Sequence, residues 1–126
     1  MVCIIDDDDA VRDSVRAVLE AYGIEVKDYA SARAFLTDSS LGPRCCLLVD
    51  LHMPEMTGIE LLEHLQEHGL VYPAIVITGR SDSALRQRAQ HAGAFALLDK
   101  PVDVDILFDT ISAAMDDAAA PAGLGA

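Results

Sequence analysis

The chain has no tryptophan, and only three tyrosines and three phenylalanines among 126 residues. An interior built from it is therefore aliphatic rather than aromatic. Positive charge is also scarce. Nine Lys and Arg stand against 21 Asp and Glu, a formal net charge of -12. Nucleic acid binding needs clustered Lys and Arg against the phosphates, so no nucleic acid is expected to bind this segment. Anionic membrane surfaces are excluded on the same ground. Solubility, a basic partner surface or a bound cation fits the charge instead. No apolar run approaches the roughly 20 residues that span a bilayer, and the opening residues show no signal-peptide pattern. No membrane association and a cytoplasmic location are expected. Cys3, Cys45 and Cys46 lack metal-ligand spacing; lying in apolar runs, they are expected to be buried free thiols.

About half of the residues are apolar (52%), enough for the core of one domain. Strand-like runs alternate five times with helical patterns. The strands read 2–5, 24–29, 45–49, 74–77 and 95–98, and three are continuous apolar runs, as in strands covered on both faces. Val11, Val15, Val18, Leu19 and Tyr22 repeat at helical spacing before Gly23. Asp8 and Asp9 suit the start of that helix, and Ser31 opens a short one carrying Phe35. Thr57 and Glu60 form a capping-box pattern ahead of Leu61, Leu62 and Leu65. Leu85, Ala89 and Ala92 make a thin stripe on a fourth helix, less firmly anchored than the first or fifth. Asp103 can cap the fifth, which buries Leu107, Phe108, Ile111 and Met115. The expectation is a (βα)5 domain over residues 1–117, with right-handed crossovers and helices on both faces. Residues 118–126, of Ala, Pro, Gly and one Leu, read as a flexible tail or linker stub.

Chemistry-bearing residues collect where the strands end. Asp6 and Asp7 follow the first strand, Asp50 the third, Thr78 the fourth and Lys100 the fifth. The carboxyl edge of an open parallel sheet is where ligands sit. If the first and third strands are neighbours, three carboxylates converge. Each like-charged pair costs about 1 kcal/mol or more unless a cation binds or a group stays protonated. Three oxygens plus water suit Mg2+. Lys100 supplies a fixed positive charge and Thr78 a hydroxyl donor, and a carboxylate in such a setting can act as a nucleophile toward phosphorus.

In these features, with Pro54 and Gly58 beyond Asp50, Thr78-Gly79 and Lys100-Pro101, the chain from Val2 to about Met115 resembles the receiver domains of two-component response regulators. Asp50-Leu51-His52-Met53-Pro54, Ile75-Val76-Ile77-Thr78-Gly79 and Ala92-Gly93-Ala94 resemble the nitrogen-fixation subgroup. The resemblance implies a flavodoxin-like sheet of order 2-1-3-4-5. It implies that Asp50 accepts a phosphoryl group from a sensor histidine kinase. Asp7, Asp50 and the main-chain carbonyl of His52 would bind Mg2+, with Asp6 acting mostly through water. Lys100 would pair with Asp50 and then with the phosphoryl group. Thr78 would move to the phosphoryl oxygen and re-set the surface of the fourth helix and fifth strand, through which a homodimer can form. The family usually has Tyr or Phe three residues before the lysine, as part of the switch; here that residue is Leu97. A weaker output shift, or one using Phe95 on the same side of the strand, is expected.

Two other functions compete. A Mg2+-dependent phosphohydrolase with an aspartyl-phosphate intermediate would commonly carry an acid two residues after its nucleophile, where this chain has His52. A phosphorylation-independent interaction domain would not need the acids. His64-Leu65-Gln66-Glu67-His68 matches a zinc-protease pattern, but a third ligand is not evident and histidines suit a helix end. His52 and Arg80 flank the proposed phosphoryl site.

Overall fold

A computed structural model describes residues 1–38, 45–80 and 82–119. Its elements alternate strictly: β1 (Val2–Ile5), α1 (Asp9–Ala21), β2 (Val26–Tyr29), α2 (Ala32–Leu36), β3 (Cys46–Asp50), α3 (Gly58–Glu67), β4 (Ala74–Thr78), α4 (Ser83–His91), β5 (Ala96–Asp99) and α5 (Val104–Ala119). The strands form one parallel sheet ordered β2-β1-β3-β4-β5. This is the (βα)5 arrangement expected from the alternation, with the strand order that the resemblance implied.

The helix starts follow from capping side chains. Asp8 and Ser31, expected at helix starts, and Asp82, which the sequence reading did not single out, accept backbone N–H bonds from Val11, Ala34 and Leu85. Thr57 and Glu60 close both halves of a capping box, and Asp103 accepts from the N–H groups of Asp105 and Ile106. Gly23, Gly69 and Gly93, which follow α1, α3 and α4, take positive φ values, as helix-terminating glycines do. β2 begins later than expected because the Ile24 N–H returns to the Leu19 carbonyl at 3.1 Å, closing α1, and pairing with β1 starts at the Glu25 carbonyl. α5 extends through Ala119, and residues 120–126 of the expected tail lie outside the described residues.

The sheet separates two aliphatic clusters. One gathers Cys3, Ile5, Leu47, Val49 and Val76 with Phe35, Ile59, Leu61, Leu65, Ala89 and Ala92 from the α2, α3 and α4 side. The other joins Ile4, Leu48 and Ile75 to Leu19 of α1 and to Leu107, Ile111 and Ala114 of α5. α4 is thinly anchored, as expected, with Ala89 buried within it. α1, expected to be firmer, also buries only Leu19 fully, and Tyr22 is 64% exposed, its ring lying against Phe108.

Gly58 opens α3 against the end of β3. A Cβ there would meet the Asp50 carbonyl oxygen at 2.8 Å, Val49 Cγ1 at 3.0 Å and the Leu51 Cα at 3.2 Å. Two of these are backbone atoms that cannot step aside. Gly58→Ala is therefore expected to destabilise the domain by about 1–3 kcal/mol, although alanine is ordinarily the better helix former by roughly 1 kcal/mol. Urea unfolding of the two proteins measures the sign.

Candidate functional site

Among the described residues, the buried polar or charged side chains are Asp6, Asp50 and Thr78. All three lie at the carboxyl ends of the strands. β1 pairs with β3 in parallel register, Ile5 opposite Val49, so Asp6 and Asp50 emerge side by side. β4 follows, with Ile77 opposite Asp50, and β5 brings Asp99 opposite Thr78. Three bonds extend the ladder past the strand ends: Asp6 N–H to the Tyr29 carbonyl, Leu51 N–H to the Ile77 carbonyl, and Lys100 N–H to the Thr78 carbonyl. The backbone under the site is thereby held rigidly, as an ordered reaction centre requires.

Carboxylate oxygens of Asp6, Asp7 and Asp50 lie within 4.8 Å of one another. Asp7 is exposed, while Asp6 and Asp50 are buried. The Asp6 carboxyl is held above its ordinary pKa, first by burial and then by the neighbouring Asp50 and Asp7 charges; the N–H of Asp8 opposes this by donating to Asp6 Oδ1 at 2.9 Å. Asp50 Oδ1 is buried without a hydrogen-bond partner. Lys100 Nζ stands 3.4 Å from it, a charge contact beyond ordinary hydrogen-bond length. The Lys100–Pro101 peptide is cis.

Thr78 is fully buried, and its hydroxyl is already engaged: it donates to the Arg80 carbonyl at 3.0 Å and accepts from the Arg80 N–H at 3.2 Å. His52 Nε2 lies 3.4 Å from the same oxygen, so the exposed His52 side chain leans toward Thr78. Leu97 is elsewhere. It packs against the cluster on the α2, α3 and α4 side and lines a depression under α4 with Arg86, Ala89, Gln90 and Phe95. Phe95 borders the same depression, one residue before β5 begins at Ala96.

Arg12 was not singled out from the sequence. Its guanidinium donates to the Asp6 carbonyl oxygen at 2.8 Å and forms ion pairs with Asp9 and Asp28, bracing the acidic turn from α1. The signal available in the sequence was one arginine inside an acidic run. On the other side of Asp6 and Asp50, an apolar groove of about 550 Å³ runs between α1 and α5, lined by Val11, Val15, Val18, Val104 and Leu107 and bordered by Lys100. The two histidines of the protease-like pattern stack on each other, ring centroids 4.2 Å apart, on α3 and its C-cap. They belong to no group of three potential ligands among the described residues.

The sequence model of the response regulator receiver domain matches residues 2–112. The chain belongs to that family. This receiver is 39% identical over 114 residues to the transcriptional regulatory protein FixJ of Azorhizobium caulinodans, covering 90% of the chain and 54% of the relative. It is 34% identical over 115 residues to the response regulator TodT of Pseudomonas putida, covering 91% and 51%. The chain thus spans about half the length of these relatives. The crystal structure of FixJ-N superposes with a TM-score of 0.86 at 36% identity, over 95% of this chain and 96% of that one. The chemotaxis protein CheY4 of Vibrio cholerae gives 0.81 at 26% identity, over 90% and 96%. This chain is a receiver domain of a two-component response regulator, a signalling module. No described helix is long and apolar enough to cross a membrane.

The raised pKa of Asp6 has a definite sign. Its ionised form is disfavoured in the folded receiver relative to the unfolded chain, so it weakens folding in full above the raised pKa and not at all below the ordinary carboxylate value of 3.8. Asp6→Asn is expected to stabilise the metal-free receiver at neutral pH by about 1 kcal/mol, the scale of one like-charge contact. The gain should fade as pH falls toward 4. Thermal melts at several pH values check this.

Proposed function

We propose that Asp50 is the phospho-acceptor of this receiver, taking the phosphoryl group of a phosphohistidine on a sensor histidine kinase. The observation that carries this reading is the Asp50 carboxylate itself. It is 7% exposed, one of its oxygens lacks a hydrogen bond, and it stands between two further acids and Lys100. A buried carboxylate left in that state is costly for the fold and suited to attack on phosphorus.

The donor set fits a hard divalent cation: oxygens only, from a cluster with one open, exposed member. Asp7, Asp50 and the His52 carbonyl would hold Mg2+, with Asp6 acting through water. The ion would supply positive charge for the phosphoryl oxygens. In the transfer, an Asp50 oxygen bonds to phosphorus as the phosphorus–nitrogen bond of phosphohistidine breaks; the departing ring nitrogen keeps the electron pair and takes a proton from water, leaving neutral imidazole. Lys100 then turns from the carboxylate to a phosphoryl oxygen. Thr78 releases Arg80 and donates its hydroxyl to another. That rearrangement pulls on the segment between β4 and α4, and the surface of α4 and β5 is the proposed output and homodimer face. The apolar groove beside the acids suits docking of the kinase. The relatives named as transcriptional regulators make transcriptional output the corresponding proposal for the protein that carries this domain, with a cytoplasmic location.

Incubation with acetyl phosphate and Mg2+, followed by peptide mapping, tests the reading. One stoichiometric acyl phosphate on Asp50 is expected, absent from Asp50→Asn and from samples with the metal chelated. Lys100→Ala should slow labelling by about a hundredfold. Continuous turnover of a phosphate ester without a labelled aspartate would overturn the proposal in favour of a hydrolase. Unchanged partner binding and response in Asp50→Asn would favour a phosphorylation-independent domain.

Leu97 makes a separate expectation. Leu97→Tyr restores an aromatic under α4 and should strengthen phosphorylation-linked dimerisation in sedimentation velocity. Identical behaviour of variant and parent would remove Leu97 from the switch.

A further inference from the structure

Two of the three cysteines meet in the interior. Cys3 pairs in register with Leu47 of β3. Cys45, two residues before Leu47, faces the same side of the sheet, because alternate residues of a strand share a face. The two sulfurs are 2.6 Å apart, well inside van der Waals contact and about 0.5 Å beyond the length of a disulfide bond. Cys46 points to the opposite face, among the α1 and α5 residues. The register thus selects one pair of three. Neither thiol has a role at the phosphoryl site, which lies at the other end of β1 and β3.

We propose that Cys3 and Cys45 form a dithiol site that a small two-electron oxidant of the peroxide class converts to an intramolecular disulfide. The Cys3 sulfur attacks a peroxide oxygen, the oxygen–oxygen bond breaks, and water leaves, giving a sulfenic acid on Cys3. The Cys45 sulfur attacks that sulfur, the sulfur–oxygen bond breaks, and a second water leaves with the thiol proton. The two thiols lose two electrons and the peroxide gains two. The division of roles agrees with the local chemistry: the hydrogen bond between the thiols lowers the pKa of Cys3 and raises that of Cys45. Burial pushes the Cys46 thiol up to about 12, where little reactive thiolate remains. Both paired sulfurs are buried, so reaction waits on local opening at the start of β3 and is slow.

The test is oxidation of the full 126-residue chain with hydrogen peroxide, then intact mass and non-reducing peptide mapping. Loss of two hydrogens, with Cys3 and Cys45 in one linked peptide and Cys46 free, is expected. The cross-link should raise Tm by roughly 5–10 °C, reversed by dithiothreitol. Cys46→Ser should keep the cross-link, and Cys45→Ser should replace it with an oxidised monothiol on Cys3. The wild-type map decides even if Cys45→Ser fails to fold. A cross-link that includes Cys46, a cross-link between chains, or oxidised monothiols alone in the wild type would overturn the proposal. So would an unmodified folded chain under conditions that oxidise the same chain in urea.

Discussion

The carboxylate of Asp50, held out of water with an oxygen that nothing hydrogen-bonds, is the constraint around which the rest of the domain is arranged. An ionised group in that state works against folding by several kcal/mol unless opposite charge is near. The nearby ammonium of Lys100 stands 3.4 Å away and is 40% exposed, so it offsets the cost only in part. Two neighbouring acids increase it. The domain can hold this arrangement because its stability is generated elsewhere, in two aliphatic clusters on either side of a sheet whose central strands are fully buried. Violation of a packing rule at one place, with consistency everywhere else, is the pattern of a functional site.

The same constraint explains how closely the neighbouring backbone is drawn in. Gly58 has no side chain because the Asp50 carbonyl occupies the space where one would be. α3 can then begin against β3, and the Leu51 carbonyl accepts the Gly58 N–H. Thr78 plays the matching part on β4. Its hydroxyl holds both polar groups of the Arg80 backbone, so its position and the path of the chain toward α4 are one variable rather than two. α4 itself is tethered by exposed ion pairs, Arg86 to Asp99 and Arg88 to Glu63, worth little individually, and by the small side chain of Ala89. Little apolar surface opposes its displacement.

Much of this could be read in the residues alone, and the reason is particular. Asp6, Asp50, Thr78 and Lys100 each end a short apolar run, and a parallel sheet sends all such ends to one edge. The caps were legible because a side-chain oxygen at the start of a helix has one common use. Strand order was not legible from periodicity, since alternation is the same for any order; it came from resemblance. Arg12 was missed because its partner is a main-chain carbonyl, which no spacing rule marks. The depth of α1 was overestimated because valines at helical spacing look alike whether they meet a core or border a groove. The Cys3 and Cys45 contact needed the register of β1 on β3, which a sequence of two apolar runs does not contain.

The balance of the switch can be argued from the same geometry. Leaving Arg80 breaks two hydrogen bonds, each worth roughly 0.5–1.5 kcal/mol net. One bond from the Thr78 hydroxyl to a charged phosphoryl oxygen returns roughly 1.5–3 kcal/mol. The two sides nearly cancel, so Thr78 alone would leave the two states comparably populated. A nearly complete shift needs about 5.5 kcal/mol of differential stabilisation. An aromatic ring turning inward under α4 would contribute through burial and ring packing. In this receiver the position holds Leu97, already packed against the core, which has less surface to gain. Phe95, 40% exposed in the same depression, is the residue there with apolar area left to bury. On these magnitudes the proposed switch would depend less on the phosphoryl group alone than on whatever covers Phe95, and a second subunit on the α4 and β5 face would couple dimer formation to its completion.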